Sequence, residues 1–416
     1  MSSKAPEVAS PVQTPKYAWA VLFALYMASL TATLNMFKLP PVMTTLVNSD
    51  LGIAADGLGT LMSTFSIMGF VLAIPAGFIL KRFGIKLTVL FSVGAVTLGA
   101  ALGALAATSG MLFVTRFVEG FGMGLVMVAS PFAISQWFPL NNRALPTGLW
   151  ATCVGIGNIA PLFLAPSIVS AFGDNWQPIW WSGAIFGAVS FVLFAIIFRM
   201  PREDEMPAAP APPAATGEAP PSLWKGMANI NYWLIGIGFG AYNLVVLALL
   251  SFLPMFLEFH RGKVAATASS LTALVMLASL FTGPLGGYIS DKLERRKSVV
   301  LIVYAVMTLT LLFPFTAEGW QIPAFMIMFG IFGGPIAPIL LASVPEVAKS
   351  PMLIGIGMAC AAFLQNLGMF VGPTLFMGIV TAGGGVGELQ SWTMAGYLMI
   401  PICIIGMIAV WRIKVR

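Results

Sequence analysis

Charge is what this sequence has least of. Asp, Glu, Lys and Arg make up 9% of its 416 residues and apolar residues 58%, whereas a water-soluble domain carries about 25% charged residues. A chain so poor in charge cannot cover a globule with solvated surface, which excludes a soluble enzyme or binding domain. Histidine occurs once, at His260, and cysteine three times, at Cys153, Cys360 and Cys403, each thiol inside an apolar stretch. Neither a metal-ligand spacing nor a disulfide framework follows from so few residues so far apart. No metal and no cofactor is expected, the thiols read as packing residues, and His260 reads as part of a surface cluster with Glu258 and Arg261. The 24 methionines are scattered through the apolar segments, so they read as core filler and not as a soft-metal path. A phosphate loop and a nucleophile arrangement are also missing, so no enzyme activity is expected. The first apolar segment lacks a small-residue cleavage pattern behind a short core and reads as a retained helix.

What the chain has instead is apolar sequence in long runs. Segments near 17–47, 57–80, 86–108, 111–136, 144–171, 178–199, 229–258, 265–290, 297–315, 320–345, 352–381 and 389–411 each approach or exceed the ~20 residues that span a bilayer. They predict an all-α membrane protein of twelve transmembrane helices. With the N-terminus placed in the cytoplasm, every one of the 21 Lys and Arg falls on the cytoplasmic side except Lys38, Arg116, Arg261 and Lys263. Positive charge collects on that side of membrane proteins. The net charge of +6 is thus a topology signal that calls for no nucleic acid. A multi-pass protein of a bacterial-type inner (plasma) membrane, with both termini cytoplasmic, is expected.

A tail at 1–16 precedes a first half at 17–199. Composition then changes at 200–228, where PREDEMPAAPAPPAATGEAPPS is too rich in proline and too poor in apolar residues to pack, and reads as an extended cytoplasmic linker. A second half follows at 229–416, ending in a short basic tail. The halves repeat one another: 77–82 answers to 287–292, 148–166 to 355–373, Leu39-Pro40 to Leu253-Pro254, and Gly120 to Gly334. Two pseudo-symmetric six-helix bundles related by an axis along the membrane normal form a transporter architecture.

Three ionisable residues stand inside the apolar segments. Lys38 ends the stretch Thr31-Ala-Thr-Leu-Asn35-Met-Phe-Lys38-Leu-Pro40-Pro41, where a buried lysine costs about 2.5–3.5 kcal/mol on insertion scales. Helical spacing puts Thr31, Asn35 and Lys38 on one face, and the two prolines bend the helix just beyond. A lysine that snorkels to the headgroups is the competing reading. In the fourth segment Arg116 and Glu119 share a face at i, i+3, while Gly120 and Gly124 let another helix approach closely. Glu119 is the only acid within the apolar core of any segment. A permanent buried pair that organises the bundle is the alternative to a functional role for both residues.

The two-times-six arrangement, the central linker and the repeated loop resemble the major facilitator superfamily over the whole chain. Its loop pattern, G-x-x-x-D-R-x-G-R-K, is similar to 287–296, which keeps Gly287, Asp291, Lys292, Arg295 and Arg296 but has Glu294 where glycine is usual. It is also similar to 77–86, which keeps Gly77, Arg82, Gly84 and Lys86 but has Lys81 where the aspartate belongs. The resemblance implies a cytoplasmic gate at Gly77, Arg82, Gly84, Gly287, Asp291 and Arg295, with its aspartate latch missing from the N half. RFVEGFGMG at 116–124 resembles the fourth-helix basic motif of the superfamily. Shorter stretches, Leu34-Asn35-Met36, Gly148-Leu-Trp150, Trp180-Trp181 and Leu253-Pro254, resemble the cyanate and nitroimidazole permease branch, which implies small anions or compact heterocycles as substrates.

In this superfamily segments one, four, seven and ten line a central cavity. On that placement Lys38 and Arg116 lie at comparable depth, roughly 10 Å below the outer boundary at 1.5 Å per residue, with Glu119 a turn deeper. Their counterparts in the second half are Phe252, Gly330 and Gly333, so all the charge belongs to the first half. The expected site has Lys38, Asn35 and Arg116 on the anionic head of the substrate, with Phe252, Asn243 and the glycines near 333–334 opposite. Asn158 and Gln365, with Asn366 beside it, add hydrogen bonds or link helices. Glu119 is the expected proton carrier, because an anion that screens the neighbouring bases favours proton uptake by the carboxylate. The function expected is a secondary active transporter, acting as a monomer, that moves a small anion by alternating access in symport with a proton. A monocarboxylate-type porter, an anion exchanger and a multidrug or metabolite exporter stay open as alternatives. The first normally carries an aspartate-arginine pair in helix eight, and segment eight has no charge before Asp291.

Overall fold

The computed structural model describes residues 15–72, 75–139, 142–202, 205, 227–348, 350 and 353–414. Residues 1–14 of the expected tail, and 203–204 and 206–226 of the expected linker, lie outside the described residues. All regular structure among the described residues is helical. In the first half these helices are α1 (Lys16–Phe37), α2 (Met43–Val47), α3 (Ala55–Leu72), α4 (Pro75–Ala104), α5 (Ser109–Trp137), α6 (Ala144–Ala171) and α7 (Gln177–Ile197). The second half has α8 (Ile230–Arg261), α9 (Ala265–Lys292), α10 (Arg296–Thr310), α11 (Gln321–Gly333), α12 (Ile336–Ala342), α13 (Val344–Val347), α14 (Ile354–Ala382) and α15 (Leu389–Arg412).

The breaks follow from local chemistry. Pro40 and Pro41 supply no backbone donor, so α1 stops at Phe37 and the chain tightens into a 3₁₀ turn at Pro40–Val42 before α2 resumes the crossing. Within α4 the chain turns sharply at Gly84, with φ 74° and ψ 170°, a conformation open to glycine but not to a residue with a Cβ. The turn separates the end of the second crossing from the third. The side chain of Thr108 accepts from the Met111 amide to start α5, and Asn229 does the same for Asn231 to start α8. Among the described residues 11 spans are long and apolar enough to cross a membrane. The expectation of twelve differs by one span, because the helix in the ninth segment, α10, has only 15 residues.

The helices form two bundles, α1–α7 and α8–α15, which meet chiefly where α3 lies on α14 and α6 on α9. The first and last described stretches are each tied to helix ends of their own bundle: Tyr17 donates to the Ile197 carbonyl at 2.5 Å, and Lys297 donates to the Ile413 carbonyl at 2.8 Å. At the end away from these contacts, the far end, the bundles are sealed. Ser63 and Thr374 share a hydrogen bond of 2.8 Å, and a Cβ on Gly59 would stand 2.6 Å from the Pro373 carbonyl oxygen. The 3₁₀ turn and α2 also pack on α8 there. Toward the termini the bundles diverge. Gly77, Gly148, Gly287 and Gly355, at the termini ends of the four interface crossings, have nothing within 4 Å of where a Cβ would stand.

Candidate transport site

Lys38, Arg116 and Glu119 form one buried cluster inside the first bundle. Lys38 Nζ lies 2.7 Å from Glu119 Oε1, and Arg116 Nη1 lies 2.7 Å from Glu119 Oε2. Because α1 ends at Phe37, its last carbonyls lack helical partners, and Arg116 fills that need by donating to the Asn35 and Met36 oxygens at 2.7 and 3.2 Å. Lys38 also donates to Asn35 Oδ1 at 2.8 Å, while the Asn35 amide donates back to the Thr31 carbonyl. Each cation rests on an aromatic face: Lys38 is 4.6 Å from the Trp180 ring centroid and Arg116 4.5 Å from that of Phe65. Two bases share one carboxyl in a place where Arg116 and Glu119 are wholly inaccessible, so the cluster has a net charge of +1 when that carboxyl is ionised.

Glycines make the room for these polar groups. A Cβ on Gly99 would stand 2.7 Å from Glu119 Cγ, one on Gly103 2.5 Å from the Trp180 ring, and one on Gly183 2.4 Å from Asn35 Oδ1. The pairs Gly99/Gly103 and Gly183/Gly187 have the small-xxx-small spacing of close helix packing. That spacing is a signal in the sequence that could have pointed to α4 and α7 as the cluster's neighbours and was missed. Nothing in the sequence marked Phe65 or Trp180 as the rings beneath the cations.

Between the bundles lies a cavity of about 430 Å³. Asn158, Asn243, Gln365 and Asn366 line it, with Ser66, Thr33 and a set of methionines, and none of its lining side chains among the described residues is charged. Asn158 and Gln365, which occupy corresponding places in the two halves, both border it. Ser66 Oγ and Asn158 Oδ1 are buried with no hydrogen-bond partner among the described residues, whereas the amides of Asn243 and Asn366 donate to carbonyls one turn earlier in their own helices, each at 2.9 Å. The far end of the cavity is bounded by Met36, Phe37 and Phe65. Arg116 therefore lies one side chain behind the wall, covered by the Phe65 ring.

Other expected residues sit elsewhere. Lys38 lines a separate crevice of about 170 Å³ on the flank between α1, α6 and α7, beside Pro161 and Ser182. Asn35 is inaccessible and turned toward Gly183. Phe252 does not line the cavity. It stacks on Phe376 at 5.6 Å within an aromatic core that includes Phe315 and Trp392, so the second bundle places ring packing where the first places its ions. Gly333 and Gly334 also face inward to their own bundle, Gly333 toward Tyr242 and Gly334 against the Ser279 backbone. His260 bonds to the Val386 carbonyl at 2.8 Å and lies against Trp392. A larger basin of about 950 Å³ opens on the far face, bordered by Asp50, Asp174 and Glu258, outside the helix layer that holds the ion cluster.

The sequence pattern of the Major Facilitator Superfamily matches residues 25–265 and 264–416. The chain belongs to the major facilitator superfamily. It is similar to a hexuronate transporter of Bacillus subtilis (24% identical, covering 81% of this chain and 82% of that protein). It is also similar to a probable sulfoacetate transporter, SauU, of Cupriavidus necator (24%, covering 85% and 81%), and to a probable nitrate transporter, NarT, of Staphylococcus carnosus (24%, 65% and 66%). In fold it resembles the crystal structure of a bacterial homologue of the human lysosomal transporter Spinster in an inward-facing, unoccupied conformation, with a TM-score of 0.76 and 15% identity over 96% of this chain and 97% of that one. The nucleoside transporter NupG gives 0.74 at 13% identity, over 95% and 100%. The molecule is a multi-pass membrane transporter and not an enzyme.

The cyanate and nitroimidazole branch is not supported by these relatives, and its four short motifs have local structural causes. Asn35 braces Lys38, Trp150 donates to Ser29 Oγ at 2.9 Å, Trp180 carries Lys38 and meets Trp176 edge-on, and Pro254 lies inside α8. The superfamily loops are asymmetric. In the second copy Arg296, not Arg295, is the clamp: it holds Asp291 at 2.7 Å, pairs with Glu346 and donates to the Ala342 carbonyl. Glu294 takes a positive φ of 51° at the place where the first copy has Gly84. In the first copy Gly77 and Arg82 are exposed.

Proposed function

We propose that this protein imports a small anion across a bacterial-type inner membrane by alternating access, as a monomer and in symport with a proton. The observation that carries the reading is the buried cluster of net charge +1 placed one ring behind an uncharged, amide-lined cavity between the bundles. A positive charge held in low dielectric, unreachable by counterions, projects its field into the cavity and favours a monoanion there. Asn158 and Gln365, from opposite bundles, supply neutral hydrogen bonds to the anion, with Asn243 and Asn366 beside them; Ser66 Oγ and Asn158 Oδ1, buried with no partner among the described residues, support this reading. Arg116 meets the head of the anion when the Phe65 ring swings aside, and Lys38, with Asn35, holds Glu119 from the other flank.

Glu119 is the proton carrier in this reading. Arg116 and Lys38 both pair with its carboxylate, and an anion that draws on Arg116 removes part of that support and favours protonation. In this reading the termini end, where positive charge gathers, faces the cytoplasm, and the sealed far end supports delivery toward that side. The names of the hexuronate, sulfoacetate and nitrate relatives support an anionic substrate. The test is binding of glucuronate, sulfoacetate and nitrate to purified protein by thermal shift, wild type beside Asn158→Ala and Arg116→Gln. Stabilisation by one of these anions that both variants lose is expected. Stabilisation by lipophilic cations, unaltered in both variants, would replace this reading with an exporter.

A further inference from the structure

We propose that the membrane-facing groove along α4 is a binding site for an anionic phospholipid, with one acyl chain in the groove and the phosphate on the basic turn at its termini end. The groove has a volume of about 850 Å³ and lies between α4, α5 and α7, with Phe91, Phe121 and Phe191 in its walls. Every lining side chain is apolar except Thr88, whose hydroxyl already donates to the Gly84 carbonyl. Phe91 and Phe121 meet edge to face at 5.8 Å, which gives the wall a fixed shape. Beyond the Gly84 turn the lining runs from Leu87 to Leu98, about 17 Å of helix at 1.5 Å per residue, close to one leaflet of a ~30 Å hydrocarbon core. A chain of lipid length fits, and water has nothing to bond to.

The head end is independently marked by a difference between the repeats. In the second copy of the loop, Arg296 is neutralised by Asp291 and Glu346. In the first copy Lys81 replaces the aspartate, and Lys81, Arg82 and Lys86 are all exposed, with no acidic partner among the described residues. Three cations therefore crowd the rim of an apolar groove, just where Phe83 begins its lining. Each basic residue at a membrane surface adds several-fold to the binding of anionic lipid, and each buried methylene adds to it further. Zwitterionic lipid gains only the second contribution. The lipid phosphate takes the place in the first bundle that protein carboxylates hold in the second.

Native mass spectrometry of the full chain in detergent, loaded with equimolar phosphatidylglycerol and phosphatidylcholine of the same acyl composition, tests this. Phosphatidylglycerol retention at least about tenfold above phosphatidylcholine is expected. The triple variant Lys81→Gln, Arg82→Gln, Lys86→Gln should bring the two lipids to within about twofold. Gly94→Leu fills the groove without altering charge, and a Cβ at Gly94 would meet only the Phe191 ring, at 3.6 Å. It should lower retention of both lipids. Equal retention of the two lipids by the wild type, unaltered preference in the triple variant, or wild-type retention by a folded Gly94→Leu protein would each overturn the proposal. None of these readouts depends on transport.

Discussion

Replacing Glu119 by glutamine removes the only acid of the buried cluster and leaves Lys38 and Arg116 as neighbouring unneutralised cations. Breaking a buried ion pair from one side costs about 3–5 kcal/mol. Here the loss should fall near the lower bound, about 3 kcal/mol, because each cation keeps other partners: Arg116 the Asn35 and Met36 carbonyls, and Lys38 the Asn35 side chain. The double variant Lys38→Met, Glu119→Gln removes one charge of each sign and restores the net charge of the native cluster. It should cost less than Glu119→Gln alone, by about 2 kcal/mol, since a buried pair replaced by apolar groups is often near neutral. Reversible unfolding of the detergent-solubilised protein by SDS titration measures both. If Glu119→Gln unfolds at the wild-type midpoint, the carboxyl carries no charge in the native state and the ion-pair argument fails. If the two substitutions add, the contacts at 2.7 Å are not energetically coupled.

Glu294 holds a left-handed backbone at φ 51°, so Glu294→Gly should raise stability by about 1 kcal/mol, read as an upward shift in the same titration. Gly99→Ala would put a Cβ 2.9 Å from the Thr115 carbonyl oxygen and 2.7 Å from Glu119 Cγ; it should cost about 1–3 kcal/mol by prising α4 from α5, and a stable, fully active variant would disprove the tight packing. Beyond α7, the hydrogen bonds from Arg199 and the Arg202 amide hold the Glu205 carboxyl down from 4.5 to about 2. A depressed folded value means that this clasp contributes fully above the unfolded value near 4.5 and is lost as pH falls toward 2. NMR titration of the Glu205 side chain should show a midpoint near 2 that returns toward 4.5 in Arg199→Gln, and an unmoved midpoint would refute the assignment.

Apolar run length and the repeat carried most of the fold. The break at Pro40-Pro41 and the turn at Gly84 could be placed from sequence because each depends on local backbone chemistry, and the register between halves paired Asn158 with Gln365, both of which border the cavity. Side-chain direction was much less legible. Thr31, Asn35 and Lys38 share a helical face, but periodicity alone could not say whether that face meets the cavity or the neighbouring α7; Gly183, which admits Asn35, decides for α7. Phe252 was placed opposite the charges by repeat alignment, yet alignment carries position and not surroundings, and Phe376 and Trp392 draw it into the core of the second bundle. The clamp at Arg296 depended on Glu346, some fifty residues on and invisible to a loop pattern. The substitution of Glu294 for glycine changed the residue and left the turn in place, at the cost of a strained backbone.

The most direct test of anion and proton symport is uptake of radiolabelled glucuronate, sulfoacetate or nitrate into proteoliposomes under an imposed inward proton gradient. The account predicts that one of these anions accumulates above equilibrium, that a protonophore abolishes the accumulation, and that Glu119→Gln retains anion counterflow while losing gradient-driven uptake. Accumulation by Glu119→Gln at the wild-type level, or wild-type uptake indifferent to the proton gradient, would contradict it.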